Sequence, residues 1–213
     1  RTSGDVRQER GQGADRRCAV SADLSQCSDQ ELAAFARVHR EDAYRELLRR
    51  YKTSVYRLIV KQIGDADEAM DLTQESFVAG FSALDRYDGE RPFRTWIARI
   101  ALNKCRDWAR RRKVRAFFSR ALPLESAHQV ASDGPAPDSE ATDKRELARV
   151  RGAIDQLPQN LREVLILRGV DEVSQAETAE ILRVSEKTVE TRLYRARARL
   201  KELLAGTSAR ARG

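Results

Sequence analysis

Residues Leu157–Leu204 read LPQNLREVLILRGVDEVSQAETAEILRVSEKTVETRLYRARARLKELL and predict a helix-turn-helix that ends in a strongly basic helix. Ser174 stands three residues ahead of Glu177, which is the spacing of a capping box that opens a helix. Ser185 is placed to cap a second helix, in which four apolar residues recur at helical spacing: Val189, Leu193, Ala196 and Leu200. Two capped helices joined by a short turn indicate a module that binds duplex DNA.

The second helix of this module carries polar and basic side chains away from its apolar stripe. They are Lys187, Thr188, Glu190, Thr191, Arg192, Tyr194, Arg195, Arg197, Arg199 and Lys201. A recognition helix presents its first residues to base edges, while later arginines hold phosphates. The alternative is a solvated amphipathic helix whose arginines face water. The paired caps and the small Ala179 at the predicted helix crossing favour the DNA-binding interpretation.

The composition fits two small helical domains better than one large core. The 213 residues are 41% hydrophobic and 34% charged, with a net charge of +7 that suits a polyanionic partner. Apolar runs fall short of the roughly 20 residues that a membrane span needs, and the N-terminus lacks the apolar core of a signal peptide. We therefore expect a cytoplasmic protein, with no membrane insertion.

The three cysteines do not predict a metal site or a disulfide framework. Cys18, Cys27 and Cys105 are odd in number and form no CxxC pair, so we expect reduced, unligated thiols. A redox switch through Cys18 and Cys27 is an alternative, although both residues fall in a predicted tail.

The pattern along the chain predicts an all-α fold with two small helical domains joined by an acidic flexible linker. Residues 1–27 are expected to form a flexible tail, and residues 28–118 a helical domain opened by the capping box Ser28–Glu31. The linker spans 119–145 and is rich in proline and acidic residues. The helix-turn-helix domain spans 146–204, and a short C-terminal tail covers 205–213.

The third predicted helix, from about residue 67 to 84, has an unusual acidic face. A helical wheel places Met70, Phe77, Phe81 and Leu84 inward, whereas Asp71, Glu75, Val78 and Ser82 lie on another face and Gln74 lies between them. This face is either a solvated surface or a docking site for a basic partner helix. A metal site built from Asp65, Asp67, Glu68 and Asp71 is disfavoured because the spacing of a calcium loop is missing.

The helix predicted from about residue 94 to 113 has a second basic face. Ile97, Ile100, Ala101, Cys105 and Trp108 point one way, while Trp96, Arg99, Asn103, Arg106 and Arg110 follow the opposite side. An aromatic ring among arginines suits unstacked bases and their phosphates. The alternative, cations that satisfy the helix dipole, explains only one or two of these charges.

Several ordered motifs identify a family. They are DLTQESF at Asp71–Phe77, DRYDGERPFRTWIARIALNKCRDWARR at Asp85–Arg111, LPQNLREVLILR at Leu157–Arg168 and SEKTVETRLYRARARL at Ser185–Leu200. With these motifs the chain resembles the extracytoplasmic-function sigma factors, which are two-domain bacterial transcription initiation factors. The resemblance covers nearly all of Ser28–Leu204 and includes motifs in both predicted domains.

The resemblance implies a role for each of the three polar surfaces. Core RNA polymerase would be contacted by Asp71, Gln74, Glu75 and Val78. The melted −10 element would be held by Asp88, Arg91, Phe93, Trp96, Arg99, Asn103, Arg106 and Arg110, where capture of a flipped base offsets unstacking. The −35 duplex would be read by Ser185, Lys187, Thr188, Glu190, Thr191 and Arg192, with Arg195 on phosphate.

The resemblance also implies partners and regulation. An anti-sigma factor that covers the DNA and polymerase surfaces is expected, and it could hold the chain near the membrane. The acidic linker would follow the path later taken by RNA. No cofactor, metal or small-molecule substrate is implied. Two residues depart from the family pattern, because Arg183 and Lys187 stand where glycine is common; a left-handed Arg183 would cost about 1 kcal/mol.

Two other classes of function account for less of the sequence. A stand-alone regulator similar to the LuxR type could contain this helix-turn-helix. Such a regulator would leave DLTQE, the Trp96 face and the acidic linker unexplained. An enzyme acting on nucleic acid would need an acid–base or metal constellation. The two histidines, His39 and His128, lie in no such motif, so no catalytic residue is predicted.

Overall fold

The computed structural model describes residues 24–121 and 138–210, and within these ranges the chain is all-α. The described helices are α1 (Asp29–Arg37), α2 (Glu41–Ile63), α3 (Ala66–Ser82), α4 (Phe93–Ala121), α5 (Asp138–Asp155), α6 (Gln159–Gly169), α7 (Gln175–Leu182) and α8 (Glu186–Arg210). Single 3₁₀ turns at Leu24–Gln26 and Leu84–Arg86 complete the described elements. The all-α prediction is confirmed. None of the described helices is both long and apolar enough to cross a membrane.

The N-terminal domain consists of α1 to α4, and local signals set its helix ends. Ser28 and Glu31 form the predicted capping box: the Glu31 amide donates to the Ser28 hydroxyl over 3.2 Å, and the Ser28 amide donates to the Glu31 carboxylate over 2.6 Å. Helix α2 ends at Gly64, whose φ of 83° is easily adopted by glycine. These bonds satisfy backbone groups that a helix end leaves open.

The core of this domain lies where the four helices meet. Leu32, Leu47, Ile59, Leu72 and Ile97 are fully buried there. Burying each such side chain contributes roughly 1.5–3 kcal/mol relative to leaving it exposed. The predicted inward face of α4 is confirmed, since Ile97, Ala101, Cys105 and Trp108 are buried and Ile100 packs against the same cluster.

The N-terminal boundary lies earlier than predicted. Leu24 and Cys27 are buried in the core, and the 3₁₀ turn between them lies before Ser28. The boundary at residue 28 was therefore about one turn too late, because an isolated leucine in a polar segment gives little periodic signal. The prediction of free thiols is wrong for Cys27, which is disulfide-bonded, and holds for Cys105. Cys18 and residues 1–23 lie outside the described residues.

The linker and C-terminal boundaries also differ from the predictions. Helix α4 continues to Ala121 and α5 begins at Asp138, so both ends of the predicted 119–145 linker are helical. Residues 122–137 lie outside the described part of the chain. Helix α8 continues through the predicted tail at 205–213 as far as Arg210.

The C-terminal domain is built from α5 to α8, with α6 packed on α8. Val164, Ile166, Leu167 and Val189 lie in its core, and Ala196 is fully buried against neighbouring leucines. The helix-turn-helix is confirmed in detail, since Ser174 and Glu177 form both capping-box bonds.

The turn between α7 and α8 needs a left-handed residue. Arg183 occupies that position with φ 55° and ψ 50°, as expected if it replaces the common glycine of the turn. Ser185 then caps α8 by accepting a hydrogen bond from the Thr188 amide over 3.2 Å. The turn therefore sets the crossing of α7 and α8.

Candidate nucleic-acid interface

Helix α3 exposes one contiguous polar face. Asp71, Gln74, Glu75 and Val78 are all exposed, while the opposite side of the helix is buried. Glu75 accepts a hydrogen bond over 3.2 Å from Lys104 of α4, which links this face to the next helix. The structure thus brings together the four side chains that the family resemblance assigned to a polymerase contact.

The buried side of α3 differs from the predicted one. Met70 was expected to face inward but is 39% exposed, whereas Phe77 is buried as predicted. Small residues make most of the buried face: Ala69, Thr73, Ser76 and Gly80. Helix α3 packs on both α2 and α4, and close approach on two sides requires small side chains. The buried hydroxyls of Thr73 and Ser76 donate to helix carbonyls, so both are satisfied.

The acidic residues at the start of α3 have structural roles. Asp65 caps the helix by accepting hydrogen bonds from the Asp67 and Glu68 amides. The Glu68 carboxylate accepts a hydrogen bond over 2.9 Å from the indole nitrogen of Trp108. The carboxylates therefore fasten the N-terminus of α3 to the helix and to α4.

The loop between α3 and α4 holds the first residues of the predicted −10 surface. Asp88 and Arg91 are exposed and form an ion pair with an N–O distance of 3.3 Å. The hydroxyl of the buried Tyr87 donates a hydrogen bond to the Arg91 carbonyl over 2.5 Å, which holds the loop against the core. Burial raises the pKa of Tyr87 to about 12, so this donor stays protonated at neutral pH.

The prediction that Trp96 lies on an exposed face is wrong. Trp96 is only 6% exposed, and its ring packs against Tyr87 and Phe93 at centroid distances of 5.2 and 5.3 Å. Phe93, also assigned to −10 DNA, is completely buried. The ring also lies beside Gly80 of α3, where a Cβ would stand at the ordinary contact distance of 3.4 Å. A helical wheel of α4 alone cannot show which segments cover this part of the helix.

The remaining −10 residues form a basic strip along α4. Asn103 and Arg110 are exposed, while Arg99 and Arg106 are half-buried. Burial lowers the pKa of Arg99, and the neighbouring positive charges of Arg183 and Arg91 lower it further. The strip therefore runs from the α3–α4 loop toward the C-terminal end of α4.

Arg106 makes a contact that the sequence did not reveal. Its guanidinium donates two parallel hydrogen bonds, of 2.8 and 2.7 Å, to Glu163 of α6, and a third of 2.9 Å to Asn103. Glu163 is 3% exposed and also accepts a bond from Gln159. The hydrogen bonding of Arg106 to the Glu163 carboxylate, which accepts, is the main cause that raises the pKa of Arg106. Partners 57 residues apart leave no periodic signal in a sequence.

The predicted −35 residues lie at the start of α8. Ser185, Lys187, Glu190, Thr191 and Arg195 are exposed, and Thr188 and Arg192 are half-buried. The Thr191 hydroxyl donates to the Lys187 carbonyl over 2.8 Å, while Val189 anchors the helix in the core. The start of α8 therefore presents a polar surface of the kind that enters a major groove.

Both domains match known families. Residues 47–115 match sigma-70 region 2, and residues 147–200 match sigma-70 region 4. The RNA polymerase sigma factor CnrH of Cupriavidus metallidurans is 39% identical over 181 residues, covering 83% of this chain and 94% of the relative. The ECF sigma factor SigW of Bacillus subtilis is 31% identical over 168 residues, covering 77% of this chain and 90% of the relative.

Solved structures share the architecture. CnrH in complex with the cytosolic domain of CnrY matches with a TM-score of 0.60 and 31% identity, covering 84% of this chain and 97% of that one. The sigma factor RpoE of Bartonella quintana, solved with the anti-sigma factor NepR, matches with a TM-score of 0.57 and 23% identity, covering 76% and 96%. The chain therefore belongs to the extracytoplasmic-function sigma factors and is an alternative sigma factor that directs transcription initiation.

Proposed function

We propose that the chain binds core RNA polymerase through α3 and recognises promoter DNA with both domains. In this proposal Asp71, Gln74, Glu75 and Val78 contact the polymerase. Their joint exposure on one face of a helix whose opposite side is buried is the observation that carries the proposal. Exposed Val78 at the centre of a polar face fits a protein contact better than a solvated surface.

The two DNA contacts are divided between the domains. The start of α8 reads the −35 element as duplex, with Lys187, Thr191 and Arg192 nearest the bases and Arg195 on phosphate. The loop carrying Asp88 and Arg91, together with Arg99, Asn103, Arg106 and Arg110, holds the melted −10 strand. Phe93 and Trp96 support this surface from the core, because both rings lie beneath the loop.

The regulatory partner is an anti-sigma factor, and the protein acts in the cytoplasm by binding and not by catalysis. The complexes of CnrH with the cytosolic domain of CnrY and of RpoE with the anti-sigma factor NepR support the proposal of an anti-sigma partner.

We propose that residues 24–121 form the region 2 domain and residues 138–210 the region 4 domain. The matches to regions 2 and 4 support this division.

Run-off transcription tests the proposal. Bacterial core polymerase is combined with a promoter library and with wild-type protein, Gln74→Ala, or the control Gln26→Ala, which changes an exposed glutamine outside α3. We expect protein-dependent transcripts that Gln74→Ala weakens and Gln26→Ala does not. Absence of transcripts, together with absence of polymerase binding, would instead indicate the stand-alone regulator.

A further inference from the structure

The two domains pack against each other along one seam. Leu58, Ala98 and Leu102 of the N-terminal domain share an apolar cluster with residues of the C-terminal domain that include Leu167 and Ile181. Helices α4 and α7 contact each other along this seam, as do α2 and α6. The seam therefore runs beside the basic strip of α4.

Within the described residues, three ion pairs cross the seam, all with the same arrangement of charges. In each pair the carboxylate belongs to the C-terminal domain and the cation to the N-terminal domain: Glu163 with Arg106, Glu180 with Arg91, and Asp171 with Lys61. The Glu180–Arg91 distance is 3.3 Å, and the Glu163–Arg106 pair is the bidentate contact described above. Arginine forks of this kind match carboxylate and phosphate oxygens alike. The carboxylates thus satisfy cations that could otherwise hold DNA phosphates.

We propose that the isolated chain adopts a closed state in which these carboxylates stand in for DNA phosphates and occlude the −10 surface. Promoter DNA can use Arg106 and Arg91 fully only after the C-terminal domain has moved away. The chain therefore limits its own DNA binding without an anti-sigma factor. This inference rests on the proposed function, because it assumes that Arg91 and Arg106 contact the −10 strand.

The packing of the seam favours an interface that can open. Cavities of about 540, 240 and 330 Å³ lie along it, each lined by residues of both domains. These cavities open to solvent, so side chains of the two domains fill the seam only in part. Gln62 Nε2, Thr95 Oγ1 and Arg162 Nε are buried beside these cavities without a hydrogen-bond partner in the protein. Domain separation would give these groups access to solvent, which reduces the cost of opening.

Cys105 provides a built-in reporter of this opening. Its buried thiol lies on the wall of the 330 Å³ cavity, opposite Leu157 and Gln159 of the C-terminal domain. Burial is the main cause that raises the pKa of this thiol to about 12, and the nearby Glu163 charge raises it further. Movement of the C-terminal domain would therefore make Cys105 both more accessible and more reactive.

The test uses the full chain and two sets of charge changes. Glu163→Gln removes the buried charge, and Asp171→Asn combined with Glu180→Gln removes the two partly exposed charges while leaving Glu163 in place. The matched control is Glu41→Gln, which removes one carboxylate from an exposed pair with Arg45 within α2. The readouts are the rate of Cys105 alkylation, followed by mass spectrometry, and the Kd for a labelled single-stranded oligonucleotide of random sequence.

We expect both interdomain variants to bind the oligonucleotide about fivefold more tightly than Glu41→Gln, because apparent affinity scales with the fraction of open molecules. The double variant should also speed Cys105 alkylation. Alkylation does not report opening in Glu163→Gln, because loss of the Glu163 charge lowers the pKa of the thiol by itself. Equal Kd values for all variants, together with a double variant that is alkylated at the control rate, would overturn the closed state. Circular dichroism checks folding, and the double variant decides the question if Glu163→Gln unfolds. Run-off transcription by the wild-type protein separates the two proposals. Absence of transcripts would refute the sigma function and leave the closed state untouched. A double variant with the alkylation rate and Kd of the control would refute the closed state and leave the sigma function untouched.

Discussion

Gly80 of α3 lies directly against Ile97 of α4, and a Cβ at position 80 would come within 2.9 Å of the Ile97 Cδ1 atom. Gly80→Ala should therefore displace the buried Ile97 side chain and give a lower unfolding free energy than Gly152→Ala, because both changes gain helix propensity and only the first meets a neighbouring side chain. Urea unfolding followed by far-UV circular dichroism measures this, because that signal reports the helices of both domains, whereas Trp96 and Trp108 both lie in the N-terminal core. Gly152→Ala is the matched control, because a Cβ at that helix position meets no neighbour. It should stabilise by up to about 1 kcal/mol. An equal unfolding free energy in the two variants would show that the helices tolerate the extra methyl group.

Arg183 carries backbone strain in the turn of the helix-turn-helix. At φ 55° a glycine should be more stable than any residue with a Cβ by about 1 kcal/mol. We compare Arg183→Gly with Arg183→Ala, since both remove the guanidinium and only the glycine relieves the strain. Thermal unfolding should give a higher Tm for the glycine variant. Equal Tm values would mean that the turn relaxes to another backbone conformation.

Glu46 should stabilise the fold at neutral pH and lose this effect in acid. Hydrogen bonds from Arg49 and then Arg50, acting against burial, lower the pKa of Glu46 to about 2. A carboxyl whose folded pKa is depressed stabilises the fold above its unfolded pKa, and this stabilisation is lost as pH falls through the folded pKa. The difference in unfolding free energy between wild type and Glu46→Gln should therefore be constant near neutrality and shrink between about pH 4.5 and 2. Denaturant titrations across that range measure it, and a difference that stays constant down to pH 2 would contradict the assignment.

Cys105 should be inert in the native protein. With its pKa raised to about 12 by burial, only a minute fraction is thiolate at pH 8, and thiolate is the reactive form. Site-resolved alkylation with iodoacetamide should be slow at pH 8 and fast in denaturant. Trypsin cleaves after Lys104 and after Arg106, so Cys105 and Cys27 fall in different peptides and are quantified separately. Rapid native labelling would show that the seam opens readily even without charge changes.

Two residues near the start of α8 should affect DNA binding differently: Arg195 should set the affinity, and Lys187 the preference among DNA sequences. Arg195→Ala should weaken duplex binding about equally for all sequences and reduce the salt slope by about 1, since a phosphate contact carries no base information. Lys187→Ala should instead change the preference among −35 sequences. Fluorescence polarisation with duplexes taken from active promoters and with scrambled duplexes, over a salt series, measures both effects. The assignments would be reversed if Arg195→Ala altered preference and Lys187→Ala altered only affinity.

Local signals in the sequence were sufficient for much of the fold. The capping boxes at Ser28 and Ser174, the left-handed end of α2 at Gly64, and the apolar stripe of α8 all depend on residues within a few positions of each other. The polar face of α3 was also predictable, because Asp71, Gln74, Glu75 and Val78 lie on one side of any regular helix. The family motifs then assigned a function to that face.

The tertiary structure alone decided which predicted faces are free. Trp96 is buried because the rings of Tyr87 and Phe93 pack against it, and Met70 is exposed because small residues line the buried side of α3. Arg106 meets Glu163 only because α6 lies beside α4, a relationship between residues 57 positions apart that no helical wheel contains. Periodicity determines which residues share a helix face, whereas the packing of distant segments determines what covers that face.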